Sequence, residues 1–152
     1  MALSTVTASA AAQARLPRSV EKVHLQQTYN RSVSASDGDI FLFDNLKIPH
    51  GALITNVEVI HDTSDGQTIW EVGYYSNGIS APDQFGSITL SATQTIDTLM
   101  PLAGVAGFRV SVSDDAAQRF VYICARQDGA VGSSPTGSIS VTIRVEYTMI
   151  RD

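Results

Sequence analysis

The chain has 152 residues, of which 43% are hydrophobic and 16% are charged. This length and composition suit one domain with a single hydrophobic core. The 10 Lys and Arg residues against 15 Asp and Glu give a formal net charge of −5, which excludes the basic surface that a nucleic acid requires. No window reaches the roughly 18 uninterrupted apolar residues of a membrane-spanning segment. We therefore expect neither a nucleic acid nor a membrane as partner.

Residues 1–20 differ in composition from the rest of the chain, because small side chains dominate and aromatic ones are missing. They have no early Lys or Arg and no leucine-rich centre, which is unlike a signal peptide, so synthesis in a cytoplasm is expected. Three interpretations stay open: a frayed terminus, an extended arm that becomes ordered on a partner, or a short helix formed by the alanines. The predicted organisation is an N-terminal arm over residues 1–20 and a single β-sandwich domain over residues 21–152.

Alternating or continuous apolar residues predict about eight strands. In chain order these are Val23–Val33, Asp39–Asp44, Leu53–His61, Thr68–Tyr75, Ser87–Thr95, Phe108–Val112, Arg119–Arg126 and Ser138–Met149. Loops or irregular connections are predicted between them, at Ser34–Gly38, Asp62–Gln67, Ser76–Gly86, Ile96–Gly107 and Gln127–Thr136. Because no segment has helical periodicity, the chain is predicted to be all-β, an antiparallel β-sandwich of the jelly-roll kind. An immunoglobulin-like sandwich is the alternative, although its typical Cys and Trp spacing is missing.

The strands on either side of residues 62–67 are predicted to pair as a hairpin, because Ser64-Asp65-Gly66 suits a tight turn. The first of them, Leu53–His61, places its odd-numbered and even-numbered residues on opposite faces. The second, Thr68–Tyr75, carries the only tryptophan of the chain. Trp70 is predicted to anchor the core, because an indole buries a large apolar surface.

Three other strands carry specific predictions. Ser138–Met149 alternates without interruption, so its apolar odd-numbered residues from Ile139 onward are predicted to face the core. Arg119–Arg126 is apolar on both faces and is predicted to lie near the middle of a sheet. Asp39–Asp44 contains the apolar run Ile40–Phe43, which predicts either a strand covered on both faces or one whose outer face meets another protein.

Candidate metal ligands and nucleophiles are few. The three histidines, His24, His50 and His61, fall on separate elements, and no His-x-His pair precedes a glutamate as in a cupin. We therefore predict no metal and no other cofactor. His61 is interpreted as a satisfied histidine at the edge of the core, and His50 as a turn residue. Cys124 lies in an apolar run and is predicted to be a buried structural thiol.

Patterns that would indicate catalysis are incomplete. The stretch Gly78–Pro82 lacks the last glycine of a nucleophile elbow. The adjacent carboxylates Asp114 and Asp115 are explained by a surface turn. No catalytic residue is predicted, and we expect that the protein is not an enzyme. An enzyme of jelly-roll type is the least favoured hypothesis.

Three stretches of the chain resemble small structural proteins of tailed bacteriophages, the capsid cement or decoration class. They are Leu46-Lys47-Ile48-Pro49-His50-Gly51-Ala52-Leu53-Ile54, Val72-Gly73-Tyr74-Tyr75 and the closing run from Thr136 to Tyr147. The resemblance implies a β-sandwich on the capsid surface of a virion, made in the cytoplasm of a bacterial host. It implies that the protein bridges neighbouring major capsid proteins, stabilises the head, and is a homo-oligomer, a dimer or trimer, without catalytic residues.

A carbohydrate-binding or receptor-binding β-sandwich module of a phage tail or head fibre is the second hypothesis. Such a module would need exposed aromatic side chains that form a platform for sugar rings. Trp70, Tyr74 and Tyr75 are the candidate cluster. Burial of Trp70 in the core is the favoured interpretation, because large aromatic side chains are on average highly buried.

Overall fold

The computed structural model describes residues 19–31, 38–63, 68–90, 93–100, 107–113, 116–128 and 139–151. Within these ranges the chain forms strands and no helix. The strands are β1 (Ser19–Arg31), β2 (Ile40–Pro49), β3 (Leu53–Thr63), β4 (Ile69–Ser76), β5 (Ile79–Thr89), β6 (Thr95–Met100), β7 (Phe108–Arg109), β8 (Phe120–Asp128) and β9 (Ile139–Arg151). The arm prediction for residues 1–18 lies outside the described residues, as do most of the predicted loops at 34–38, 62–67 and 127–136. β1 includes the last two residues that were assigned to the arm.

The strands form two antiparallel sheets. Sheet A has the order β1-β9-β3-β6, with the short β7 also paired to β3, and sheet B has the order β2-β8-β4-β5. Neighbours along the chain therefore often lie in different sheets, which is the strand order of a double-sheet jelly roll. This order confirms the predicted antiparallel sandwich and decides against the immunoglobulin-like alternative. The central position of β8, between β2 and β4, confirms the prediction for that strand.

The predicted hairpin of β3 and β4 is wrong. β3 pairs with β9, β6 and β7 in sheet A, whereas β4 pairs with β8 and β5 in sheet B. The two strands lie in opposite sheets, and each buries one apolar face in the shared core: Val57 and Val59 from β3, Trp70 and Val72 from β4. A tight-turn signal cannot separate a hairpin from a crossover between sheets, because both connect strands with one apolar face.

A tight hairpin does join β4 to β5, inside the segment Ser76–Gly86 that was predicted to be a loop. Asn77 and Gly78 connect the strands with φ angles of 49° and 80°. Positive φ at both central residues is the requirement of a type I′ turn, for which Asn-Gly is the preferred pair. The strand signal of β5 is obscured by Pro82 and Gly86, which are tolerated because β5 is an edge strand with a bulge.

β6 occupies part of the segment that was predicted to be an irregular connection. Its polarity is the reverse of an ordinary edge strand: Ile96 is 56% exposed, whereas Asp97 turns toward the buried His61 of β3. Leu99 supplies the buried apolar contact. An apolar outward residue beside a polar inward one cancels the alternation by which a half-buried strand is recognised in a sequence.

The core lies between the two sheets and is centred on β9, β3, β4 and β8. The inward residues of β9 are buried as predicted: Val141, Ile143, Val145 and Tyr147. In β3 the register shifts between Ile54 and Asn56, so Ile54 and Val57 are both buried although they are three residues apart. A bulge of this kind moves a strand's face by one residue, which breaks the simple odd-even alternation that the sequence predicts.

Trp70 is fully buried, which confirms its predicted role as an anchor of the core. Its ring centroid lies 5.1 Å from that of Phe41 and 6.4 Å from that of Phe43, both on β2. The indole nitrogen donates a hydrogen bond to Oε1 of the buried Gln127 at 3.1 Å. The polar end of the indole is thus satisfied inside the core, as a buried tryptophan requires.

Candidate interaction surface

The outer face of sheet B is rich in apolar and aromatic side chains. On β2 the outward residues Ile40 and Leu42 are 44% and 41% exposed. Farther along β2, beyond the exposed polar residues Asp44 and Asn45, Lys47 is exposed as well. On β8, Phe120 and Tyr122 are partly exposed. We call these five residues the sheet B patch. Of the large hydrophobic side chains within the described ranges, three are exposed, and two of them lie in this patch.

Lys47 extends across the aromatic end of the sheet B patch. Its Nζ lies 4.5 Å from the ring centroid of Phe120 and 5.7 Å from that of Tyr122. The two rings are themselves edge to face, with centroids 5.1 Å apart. A cation above an aromatic face is stabilised by about 0.5–1 kcal/mol at an exposed site. No carboxylate among the described residues forms an ion pair with Lys47.

Cys124 lies on the outward side of β8, opposite Leu42, yet it is fully buried. Burial raises the pKa of this thiol to about 12, so the thiolate that a nucleophile needs is not formed near neutral pH. The prediction of a buried structural thiol is confirmed. Beside it, Nε of Arg126 donates a hydrogen bond to Oε2 of Glu71 at 2.6 Å, which neutralises both charges at the border of the patch.

The outer face of sheet A is polar, in contrast to sheet B. It contains a cleft of about 520 Å³ that crosses the three neighbouring strands β1, β9 and β3. The cleft is lined by His24, Leu25, Gln26, Asn56, Glu58, Arg144, Val145 and Glu146. Alternation along each strand places these polar side chains outward while Val145 remains buried.

The charged side chains of the cleft form ion pairs between neighbouring strands. Arg144 donates to Oε2 of Glu58 from Nη2 at 2.7 Å and from Nε at 3.2 Å. Lys22 Nζ lies 3.1 Å from Oε1 of Glu146. The hydrogen bond from Arg144 is the main cause that lowers the pKa of Glu58, and the hydrogen bond from Lys22 is the main cause for Glu146. Oδ1 of Asn56 is buried and has no hydrogen-bond partner.

These lowered pKa values predict a dependence of stability on acid. A group whose pKa is lower in the folded state contributes its full stabilisation above its unfolded pKa, which is near 4.5 for Glu58, and loses it as the pH falls through the folded pKa. Acidification from about pH 7 to pH 3 should therefore lower the urea midpoint of the wild type more than that of Glu58→Gln. Asp83→Asn, at an exposed position, is the control and should retain the wild-type loss. Equal losses in wild type and Glu58→Gln would contradict the assignment.

The three histidines lie in different surroundings. Nδ1 of His24 lies 3.4 Å from Oε2 of Glu146 on the outer face of sheet A. His50 lies in the turn after β2, where its Nδ1 accepts a hydrogen bond from the backbone nitrogen of Val112 at 2.9 Å. His61 is 1% exposed, and its Nε2 lies 2.7 Å from Oδ2 of Asp97. The interpretations of His50 and His61 are confirmed.

The remaining sequence candidates are not brought together. Gly78–Pro82 lies in the β4–β5 hairpin and at the start of β5, and Asp114 and Asp115 lie outside the described residues. In the part of the chain that the structure describes, no group of three side chains is suited to hold a metal, and no helix could cross a membrane. Trp70 is buried and Tyr74 packs against Phe108 at 5.5 Å, whereas Tyr75 is partly exposed and lies opposite Tyr122 of β8. The three rings that were predicted to form a sugar platform therefore do not share one surface.

No protein-family model and no curated protein matches the chain. Among solved structures, it is similar to a chain of the cyanophage Pam1 capsid asymmetric unit, with 12% identity, a TM-score of 0.49 and coverage of 88% of this chain and 87% of that one. It is similar to a chain of the acidic stable capsid of Helicobacter pylori bacteriophage KHP30, with 16% identity, a TM-score of 0.44 and coverage of 86% and 94%. It is also similar to the 60-mer BFDV capsid protein, with 10% identity, a TM-score of 0.41 and coverage of 90% of this chain and 95% of that one. The assignment of the fold rests on the strand order of the two sheets.

Proposed function

We propose that the protein is a virion structural protein that binds the outside of a phage capsid and stabilises the head. In this role it bridges neighbouring major capsid proteins, as a cement or decoration protein does. The observation that carries the proposal is the strand order of the sandwich, β1-β9-β3-β6 over β2-β8-β4-β5, because the double-sheet jelly roll is a fold of viral capsid domains. The resemblance of residues 46–54, 72–75 and 136–147 to the cement class supports the same role.

Lectin domains and cupins use the jelly roll as well, and fold alone does not decide function. Positions of individual side chains favour the structural role over these two. The predicted sugar platform would need Trp70 at the surface, whereas Trp70 is enclosed by Phe41 and Phe43. A cupin site would need converging histidines, whereas His61 is paired inside the sandwich with Asp97 and His24 lies on the outer face of sheet A. The exposed apolar side chains of the sheet B patch support binding to other proteins.

The expected partners are the major capsid protein and further copies of this chain. A domain of this size can offer on the order of 800 Å² to one partner, and a contact of that size is often only micromolar. Lasting attachment to a shell therefore requires several contacts at once. Linking copies in a dimer or trimer supplies them, because each further contact becomes intramolecular and can raise the overall affinity by about 10² to 10⁴.

The proposal is tested by adding the purified protein to expanded heads that lack it. Sedimentation followed by quantitative electrophoresis measures the bound copies for each major capsid protein as the added protein is increased. We expect saturation at a fixed, symmetry-defined ratio. Attachment of only a few copies per head would contradict the proposal and favour the receptor-binding role in a tail or fibre instead.

A further inference from the structure

We propose that Asn77 is a site of spontaneous deamidation that the folded chain protects, and that the products of the reaction keep the β4–β5 turn from closing again. Asn77 and Gly78 form the only Asn-Gly pair of the sequence. Both residues are exposed in the turn that connects β4 to β5. The reaction limits the lifetime of the native chain and does not depend on the proposed function.

Deamidation joins the main chain of Gly78 to the side chain of Asn77. The backbone nitrogen of Gly78 gives up its proton to solvent and attacks Cγ of Asn77, so that an N–Cγ bond forms while the Cγ–Nδ2 bond breaks and ammonia leaves. Water then opens the succinimide ring at one of its two carbonyl carbons. Opening at Cγ gives aspartate, whereas opening at the main-chain carbonyl gives isoaspartate, in which the main chain passes through the side chain. One water is consumed and one ammonia is released, without oxidation or reduction.

The residue that follows an asparagine sets how readily this thermolabile side chain reacts. Gly78 has no Cβ, so its nitrogen can approach Cγ of Asn77 without steric hindrance, and its backbone is conformationally permissive. The other asparagines, Asn30, Asn45 and Asn56, are followed by arginine, leucine and valine. In an unfolded chain, Asn77 is therefore the asparagine that reacts first.

The backbone of the turn holds the reacting atoms apart. Asn77 and Gly78 have φ angles of 49° and 80°, and the first central residue of a type I′ turn has a ψ angle of about +30°. At this ψ angle the Gly78 nitrogen lies on the far side of the Cα–C bond of Asn77 from Cβ, whereas ring closure requires the two to be nearly eclipsed. Pairing of Ser76 with Ile79 fixes the turn. Attack therefore requires that the turn opens first.

Three hydrogen bonds hold the side chain of Asn77 against the segment that precedes β8. Nδ2 donates to Oγ of Ser76 at 2.9 Å and to the backbone oxygen of Gln118 at 3.2 Å. Oδ1 accepts from the backbone nitrogen of Gln118 at 3.3 Å. The amide thus occupies both backbone groups of Gln118, as a paired strand residue would. These bonds must break before Cγ can turn toward the Gly78 nitrogen.

The products of deamidation do not fit the closed turn. A carboxylate has no hydrogen to donate, so the backbone oxygen of Gln118 would face another acceptor in place of Nδ2. Isoaspartate also lengthens the main chain by one carbon atom, whereas a type I′ turn connects its strands through two residues of ordinary length. Either product therefore favours the open turn over the closed one.

Incubation of the full chain in mildly alkaline buffer, both folded and in concentrated guanidinium chloride, tests the proposal. Peptide mapping by mass spectrometry follows the conversion of each asparagine, and enzymatic methylation detects isoaspartate. In denaturant, Asn77 should react first and should yield isoaspartate. In the folded chain it should react at least about tenfold more slowly, because closed turns outnumber opened ones.

Three variants separate the effect of the fold from that of the chemistry. Ser76→Ala removes one acceptor of the Asn77 amide, so it should speed the reaction of the folded chain at least about twofold and leave the rate in denaturant unchanged. Ser87→Ala, at an exposed position of the same strand pair, is the matched control and should change neither rate. Gly78→Ala, measured in denaturant where no folding is required, should slow the reaction because the added Cβ hinders the attacking nitrogen.

Equal rates in the folded and the denatured chain would overturn the protection by the turn, and faster reaction of another asparagine in denaturant would overturn the assignment of the site. A Ser76→Ala variant that unfolds like a native protein but reacts no faster than the wild type would contradict the role of the hydrogen bonds. The effect of the products has its own readout. Refolded chains that were converted in denaturant should unfold at a lower denaturant concentration than refolded unconverted chains, and equal midpoints would overturn the claim that the products oppose closure.

Discussion

Replacing Ile143 by alanine is expected to lower the free energy of unfolding by about 2 to 5 kcal/mol. Ile143 is fully buried on β9, which lies between β1 and β3 in the middle of sheet A. Truncation removes apolar contacts and leaves a cavity that the paired neighbours can fill only in part. The loss is a large fraction of the roughly 5 to 15 kcal/mol that stabilises a typical domain. Urea denaturation of the purified variant measures it.

Thr142→Ala is the matched control for this substitution. Thr142 is the preceding residue of the same strand, and its hydroxyl on the outer face lies 2.7 Å from that of Thr28. Because this hydrogen bond is exposed, its loss should cost less than about 1 kcal/mol. Equal and small losses in both variants would show that the assigned faces of β9 are wrong.

Gly73→Ala is expected to destabilise the protein by about 3 kcal/mol or more. Gly73 lies on β4 opposite the bulge of β5, where a Cβ would overlap the carbonyl oxygen of Ala81 and approach the carbonyl carbon of Pro82 to 2.7 Å. Both are backbone atoms, so no side-chain rotation can relieve the overlap. Either β5 must move away from β4 or the bulge must open, and thermal or urea unfolding would detect either change.

Ser87→Ala tests whether the effect of Gly73→Ala comes from close packing and not from any change in this strand pair. Ser87 lies on β5 opposite Glu71 of β4 and is exposed, so its replacement should change stability by less than about 0.5 kcal/mol. A Gly73→Ala variant as stable as this control would contradict the close approach of the two strands.

The sequence predicts individual strands well wherever one face is apolar and the other polar. β9 alternates from Ile139 to Met149, and Trp70 is recognisable as a core residue by its size and setting. The arrangement of the strands is a different matter, because β9 lies between β1 and β3 and no local pattern encodes that order. For this reason the sequence predicts a hairpin around residues 62–67, whereas β3 and β4 belong to opposite sheets.

The candidate surfaces differ in how far they are predictable. Four consecutive apolar residues, Ile40–Phe43, predict either two covered faces or an outer face that meets another protein, and the exposure of Leu42 excludes the first of these. The charged cleft of sheet A was not predicted. Its partners Glu58 and Arg144 are 86 residues apart, and they meet only because β3 and β9 pair. The alternating polar residues of β9, such as Arg144 and Glu146, were the available signal for an exposed charged face.

Heating of phage heads tests the central claim, that the protein stabilises a capsid from outside, most directly. Expanded heads that lack the protein are divided, one part is saturated with the purified chain, and DNA release is followed by a dye as the temperature rises. A protein that binds the assembled shell and not its separated subunits must stabilise the shell, so saturated heads should release DNA at a higher temperature than bare ones. Saturated heads that release DNA at the same temperature as bare heads would contradict the account.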